Sequence, residues 1–230
     1  MHEFFDLAAK KGTTALRALG FLGGLAVCLC SFFQRLDLLW VLLVGMTILA
    51  LLVQLFRDGE SPTLNVSVTL TGLLYVAIPF SFLIAIREFP VRTIQNGSLV
   101  IMVFLCVWIC DSAAYILGSR WGRHKLFVRV SPNKTVEGTL AGFMFSVLTG
   151  YVCYLTFLKD LGMRDALVIG AICGGFGQLS DLVESLFKRD AGVKDSSNLI
   201  PGHGGILDRF DSEILAAPVV YLYLRYVVAG

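Results

Sequence analysis

The feature that most constrains this chain is a series of apolar runs, each near the ~20 residues that an α-helix needs to cross a bilayer. They fall at roughly 15–33, 38–56, 64–86, 98–120, 139–158, 165–187 and 212–229. Backbone groups in lipid have to be satisfied within the segment, so such runs are read as helices. The expected fold is an all-α polytopic membrane protein with about seven transmembrane helices. A mean hydropathy of +0.76 and a charged fraction of 16% exclude a soluble domain. No polar segment is long enough to build a core of its own, so residues 1–230 are expected to form a single integral-membrane domain.

All six cysteines (Cys28, Cys30, Cys106, Cys110, Cys153 and Cys173) lie inside apolar runs and read as small hydrophobes. Neither a disulfide framework nor a zinc site is implied. The opening "MHEFFDLAAKKGTTALRALG" puts acids and an amphipathic stretch before the first run, unlike a cleaved signal.

Two connections stand out by length, 121–138 and 188–211. With seven spans, the side shared with the N-terminus carries 13 Lys and Arg residues and the opposite side six. By the positive-inside rule the N-terminus and both long loops are cytoplasmic and the C-terminus is outside. Both loops therefore face cytosolic solutes.

The first three spans are Leu-rich. Gly23, Gly24, Gly45 and Gly72 allow close helix contacts, and Pro79 predicts a kink. The later spans carry acids: Asp111 in the fourth, Asp181 and Glu184 in the sixth. An acid at the bilayer centre costs ~2.5–3.5 kcal/mol on insertion scales, so each requires compensation. Asp181, then Glu184 or Ser185, then Lys188 fall one turn apart on one helix face. Gly170 and Gly174 form a GxxxG that admits a neighbouring helix. An interhelical salt bridge with packing glycines explains this face as well as a functional site does.

The 188–211 loop favours the functional reading. "PGHGG", Pro201 to Gly205, leaves the backbone bare around His203 and suits close approach to phosphate through N–H groups. "DRFD" places Asp208 and Asp211 at i and i+3, able to share a face. Carboxylate and phosphate oxygens are the ligands magnesium prefers, and Lys188, Arg189, Lys194 and Arg209 are counter-charges for a polyphosphate. A solvated juxtamembrane loop would be charged too, but it would not need the HGG turn.

Residues 185–211, "SLFKRDAGVKDSSNLIPGHGGILDRFD", resemble the signature of the phosphatidate cytidylyltransferases, the CDP-diacylglycerol synthases. Ser185, Lys188, Arg189, Lys194, Asp195, Ser197, Pro201, His203, Gly204, Gly205, Asp208, Arg209 and Asp211 meet it without departure. "CDSAAYILGSRWGRHKLFVRVSPNKTVEGTLAG", Cys110 to Gly142, is similar to the family's "CDTxAYxxGRxxGKxKLxPxxSPxKTxEGxxGG", with Ser112 for Thr, Arg123 for Lys and Val128–Arg129 where Pro is frequent. The segment "EFFDLAAKKG" is similar to one that follows about two further membrane spans in family members.

The resemblance implies the reaction CTP + phosphatidate → CDP-diacylglycerol + pyrophosphate. It implies catalytic helices and cytoplasmic loops in 98–230, with 1–97 as packing helices. Asp181, Asp208 and Asp211 are the implied metal ligands, for one or two magnesium ions, with Lys188 and Arg189 as catalytic cations. Ser131, Lys134 and Thr135 of "SPNKTVEG" are expected to bind phosphate, together with Lys194, His203, Gly204, Gly205 and Arg209. Glu137 is expected to be a metal ligand or an orienting acid for Lys134. The plainer alternative for 121–138 is a basic surface loop that holds anionic lipids. Asp111 is expected to contact substrate or, failing that, to be a buried partner for a base such as Arg120. Trp108 and Trp121 read as interfacial or packing residues.

The implied partners are CTP and phosphatidate, with no nucleic acid, and a glycine-rich helix surface is compatible with a homodimer. The implied location is the cytoplasmic (cell inner) membrane, with the active site facing the cytosol. CDP-archaeol synthases and CTP-dependent polyprenol kinases are related alternatives. A transporter would use midplane acids differently, and no repeat of that kind is evident. The DGxxAR motif of the CDP-alcohol phosphotransferases is absent.

Overall fold

The structure is a computed structural model that describes residues 1–58, 60–89, 97–199, 202 and 204–229. The chain divides into two compact units: Met1–Ala85 with Phe187–Phe210, and Ile86–Leu186 with Asp211–Gly230.

The first unit opens with α1 (His2–Ala9), whose Phe4, Phe5 and Leu7 are buried. Next come α2 (Arg17–Phe32), a single 3-10 turn (Leu36–Leu38), α3 (Leu39–Leu55) and α4 (Pro62–Gly72). The turn between α1 and α2 is tied to α4, because Thr14 N–H donates to Asn65 Oδ1 at 2.7 Å and Leu16 N–H to Thr69 Oγ1 at 2.8 Å. These side chains take up N–H groups that precede α2 and have no intrahelical acceptor. Gly72 has no side chain because the Phe5 ring occupies that space: a Cβ there would lie 2.5 Å from Phe5 Cε1. On α3, Trp40, Val41, Val44, Ile48, Leu51 and Leu55 are exposed, as lipid-facing side chains would be.

The kink expected at Pro79 takes the form of a π turn, Leu73–Ala77, between α4 and α5 (Ile78–Arg87). Proline lacks an N–H and its ring crowds the carbonyl four residues back, so the turn widens just ahead of it.

The second unit is built on α6 (Ser98–Trp121), α7 (Val136–Thr156), α8 (Met163–Asp190) and α9 (Leu207–Tyr223), with a closing π turn at Leu224–Val228; α8 and α9 each begin or end in the first unit. Glycines set its helix spacing. A Cβ on Gly138 would lie 2.6 Å from the Ala114 carbonyl oxygen, one on Gly142 2.7 Å from that of Cys110, and one on Gly150 2.4 Å from that of Ala166. The predicted Gly170–Gly174 contact is present: both positions meet α7 at Ser146, whose hydroxyl donates to the Gly170 carbonyl at 2.8 Å.

The all-α expectation needs one correction. β1 (Lys125–Phe127) and β2 (Ser131–Thr135) form an antiparallel hairpin in the 121–138 connection, pairing Lys125 with Thr135 and Phe127 with Ser131 across an irregularity. Strands of three and five residues are too short to leave a readable period-two signal.

Among the described residues, five helical segments are long and apolar enough to cross a membrane: Leu36–Leu55, Pro62–Arg87, Ser98–Trp121, Val136–Thr156 and Met163–Asp190. Arg17–Phe32 is a shorter apolar helix. The protein is thus a largely helical membrane protein.

Candidate active site

In the first unit two carboxylates join the chain at Ser196–Ser197 to the chain at Gly205–Leu207, a neck between the two segments. Asp208, in the first turn of α9, accepts from Lys188 Nζ at 2.6 Å through Oδ1. Its Oδ2 accepts from Ser196 N–H at 2.9 Å, Ser196 Oγ at 2.7 Å and Gly205 N–H at 2.7 Å. The Lys188 and Asp208 side chains are only 9% and 7% exposed, so this ion pair is largely desolvated. Burial opposes ionisation of Asp208, but the Lys188 ammonium, the Gly205 N–H and the Ser196 donors outweigh it and hold the carboxyl down to about 2.

The second carboxylate is Glu3, which the sequence does not single out. Its Oε1 accepts from Ser197 Oγ at 2.7 Å and Ile206 N–H at 2.9 Å, and its Oε2 accepts from Leu207 N–H at 2.6 Å and lies 3.1 Å from Ser196 Oγ, whose one hydrogen it shares with Asp208. Burial works against its charge, yet these donors keep its carboxyl below the ordinary range. Ile206 and Leu207 supply N–H groups that open α9, where a helix has donors to spare and favours an anion. The signal available in the sequence is an acid one turn ahead of Leu7, on the apolar side of an amphipathic helix.

The two glycines of the HGG turn serve this neck. Gly204 has φ +79°, and a Cβ there would lie 2.8 Å from Asp208 Oδ2. A Cβ on Gly205 would lie 2.2 Å from Ser196 Oγ and 2.7 Å from the Glu3 carboxylate. Gly205→Ala is therefore expected to spread the neck and lower turnover by ~10-fold or more, with Gly175→Ala, where the space is open and φ is not positive, as the control for a general backbone effect. Equal activity of Gly205→Ala and the unmodified protein would show that the neck tolerates opening. Lys194 and Arg209 are exposed, and Arg189 Nη1 donates to the Val193 carbonyl at 3.0 Å. Pro201 and His203 lie outside the described residues.

The second unit gathers the other predicted side chains. Lys134 Nζ, at the end of the hairpin, lies 2.6 Å from Asp181 Oδ2 on α8 and donates to the Gln178 carbonyl at 3.3 Å. Ser185 Oγ, one turn on, donates to Asp181 Oδ1 at 3.3 Å. Asp111 on α6 interacts electrostatically with both Asp181 and Lys134. The Ser212 hydroxyl is 3.2 Å from Asp111 Oδ2 and 3.4 Å from Asp211 Oδ1, so two acids converge on one donor. The alternative of Arg120 as partner to Asp111 is not what the fold provides, for the Arg120 guanidinium stacks over Trp121. Ser180 Oγ joins α8 to α9 by donating to the Asp211 carbonyl and accepting from Leu215 N–H.

Glu137 is engaged within its own hairpin. It accepts from Arg123 N–H at 3.1 Å and His124 N–H at 3.2 Å, and lies 2.6 Å from His124 Nδ1. The acid that Lys134 meets is Asp181 rather than Glu137. Thr135 caps α7, its hydroxyl accepting from Gly138 N–H at 3.2 Å, and is buried. Ser131 opens β2 and is half-buried. Among the described residues no group of three or more His, Cys, Asp or Glu converges tightly enough to hold a metal ion.

These features, a largely desolvated Lys188–Asp208 pair, a half-buried Lys134–Asp181 pair and glycine-closed turns on apolar helices, define a membrane protein equipped to handle anions. The chain belongs to the Cytidylyltransferase family, whose sequence pattern matches residues 1–227. It is 37% identical over 182 residues to the phosphatidate cytidylyltransferase of Staphylococcus saprophyticus, covering 79% of this chain and 68% of the relative. The enzyme of the same name from Staphylococcus epidermidis gives the same figures, and that from Staphylococcus aureus is 36% identical over 184 residues, again covering 79% and 68%.

Proposed function

We propose that this protein transfers CMP from CTP to phosphatidate, giving CDP-diacylglycerol and pyrophosphate. The observation that carries the reading is the family match along residues 1–227, which includes both polar connections and the acids of the later helices. A phosphate oxygen of phosphatidate attacks the α-phosphorus of CTP, a new P–O bond forms, and the bond to the β-phosphate oxygen breaks. Both reactants are anions, so the barrier is mainly electrostatic and positional. An ionised phosphatidate needs no general base.

Lys188 and Lys134 bring cations that are already ordered by Asp208 and Asp181. Arg189, Lys194 and Arg209 draw in the polyphosphate, and Ser131, Thr135, His203, Gly204, Gly205 and Asp111 complete the contacts to substrate. Magnesium, as one or two ions, would be held by Asp181 and Asp211, whose surroundings offer carboxylate and hydroxyl oxygens. This fits an ion that commonly takes one or two carboxylates and completes its shell with substrate phosphate and water. When bound it would neutralise phosphate charge. Asp208 and Glu137 would have to release donors they now hold in order to ligate metal.

A cavity of about 530 Å³ in the first unit supports a lipid substrate. Val76, Phe80, Leu199, Ile206 and Leu207 give it apolar walls suited to an acyl chain, and Glu3 and Ser197 bring it to the neck. We further propose seven spans, a cytoplasmic N-terminus, an external C-terminus, a cytosol-facing site in the cell inner membrane, and a homodimer. The balance of 13 basic residues against six supports the orientation.

Purified protein given labelled CTP, phosphatidate and magnesium in detergent is expected to release pyrophosphate and a CDP-lipid, and to stop when the metal is chelated. Release of CDP in place of pyrophosphate would indicate a kinase. No product, with a Staphylococcus homologue active alongside, would remove the assignment.

A further inference from the structure

We propose that Glu3 is a positioning residue for nucleotidyl transfer: its carboxylate joins Ser196 and Ser197 to Ile206 and Leu207 and so fixes how Asp208 and Lys188 are presented. This rests on the reading of those two residues as members of the transfer site.

Glu3 ties together chain positions on the two sides of the neck. Oε1 links Ser197 to Ile206, and Oε2 links Ser196 to Leu207. Asp208 spans the same neck one step further on, from Ser196 to Gly205, and the Ser196 hydroxyl reaches both carboxylates. Each acid thus limits the movement of the other through a shared serine. In Glu3→Gln the neutral side chain would turn an amide N–H₂ toward N–H or O–H donors at one of its two ends, leaving buried donors without an acceptor.

The residue next to Glu3 strengthens the link to Lys188. The Phe4 ring packs edge-on against Phe187 at 5.9 Å and tilted against Tyr75 at 5.8 Å, and Phe187 immediately precedes Lys188. Lys11 pairs with Asp190 at 3.0 Å on the other side of Lys188. Helix α1 and the turn that follows it therefore hold the chain on both sides of Lys188, and Glu3 of α1 joins Ser196 and Ser197 to the opening of α9, which carries Asp208. The effect of Glu3 on that ion pair is transmitted through Ser196 and the N–H groups of Ile206 and Leu207.

The test compares Glu3→Gln with unmodified protein in the CDP-lipid assay, together with hydrogen–deuterium exchange across 196–208. The expected result is a kcat lowered ~10–100-fold, as small misplacements of reacting groups can produce, with KM for CTP changed far less. Exchange should rise at Ser196, Gly205, Ile206 and Leu207 while α6 and α7 keep their protection. An active unmodified protein whose Glu3→Gln variant keeps kcat within about twofold, or shows no local rise in exchange, overturns the inference. If Glu3→Gln is not recovered folded, Ser197→Ala removes one bond of the neck and is held to the same two criteria, with a smaller fall in kcat expected. If the unmodified protein makes no CDP-lipid, the proposed activity fails and the positioning role falls with it, whereas the exchange comparison still decides whether Glu3 closes the neck.

Discussion

Asp208→Asn is expected to reduce CDP-diacylglycerol formation by at least ~10²–10³-fold, because it removes the charge that orders Lys188 and breaks the neck at its tightest point. The carboxylate takes a cation on one oxygen and three donors from Ser196 and Gly205 on the other. Asparagine can accept on only one side, so the ammonium of a largely desolvated pair loses its nearest anion. Breaking such a pair by removing one partner costs ~3–5 kcal/mol, so the variant should also melt at a lower temperature in detergent. Lys188→Met with Asp208→Asn would remove both charges while keeping an acceptor for the Ser196 and Gly205 donors, and is expected to recover part of that stability without recovering activity. Near-normal turnover in Asp208→Asn would eliminate Asp208 from the chemistry.

The pH dependence of stability has a definite sign. A carboxyl held down to about 2 in the fold, against an ordinary value near ~4, contributes stability that is fully present above the unfolded value. That contribution is lost as pH falls from ~4 toward ~2. Acid titration of melting temperature should therefore show a steeper fall over this window for unmodified protein than for Asp208→Asn. Equal slopes would show that the Lys188 pair does not govern acid sensitivity.

Lys134→Met is expected to have the second large effect, a loss of about 10²-fold in kcat/KM for CTP. Lys134 Nζ is 2.6 Å from Asp181 and interacts with Asp111, so its removal leaves acids of the second unit with uncompensated charge as well as depriving substrate of a cation. Lys134→Arg keeps the charge but not the compact ammonium, and is expected to recover only part of the activity. If Lys134→Met retains full kcat/KM, the hairpin is better explained as a basic surface loop that holds anionic lipids. Lipid dependence of melting would then shift in the variant while turnover would not.

How much of this is legible in the sequence differs from residue to residue. The apolar runs mark the long helices within a few positions, since hydropathy and length are local properties of the chain. Gly170 and Gly174 announce a close helix contact, and Pro79 an irregular turn, through equally local chemistry. The partner that each acid meets is not legible. The sequence offers Asp111 the base Arg120 from the same run, yet Asp111 faces Ser212, 101 positions away. It offers Glu137 the base Lys134, yet Lys134 meets Asp181 and Glu137 holds the backbone of Arg123 and His124 in its own hairpin. Gly204 and Gly205 are legible as places of close approach to the backbone, but that Asp208, Ser196 and Glu3 are what approach them is not.

By itself the sequence determined a helical membrane protein with a charged signature of nucleotidyl-transfer type. A bilayer demands long apolar helices, and phosphate chemistry demands cations, acids and glycine. Only the tertiary structure decided which donor each carboxylate receives. Glu3 and Leu207 are separated by 204 positions and meet at 2.6 Å. No local propensity encodes a hydrogen bond of that span, because it forms only when packing of α1 in the first unit brings the carboxylate to the opening of α9.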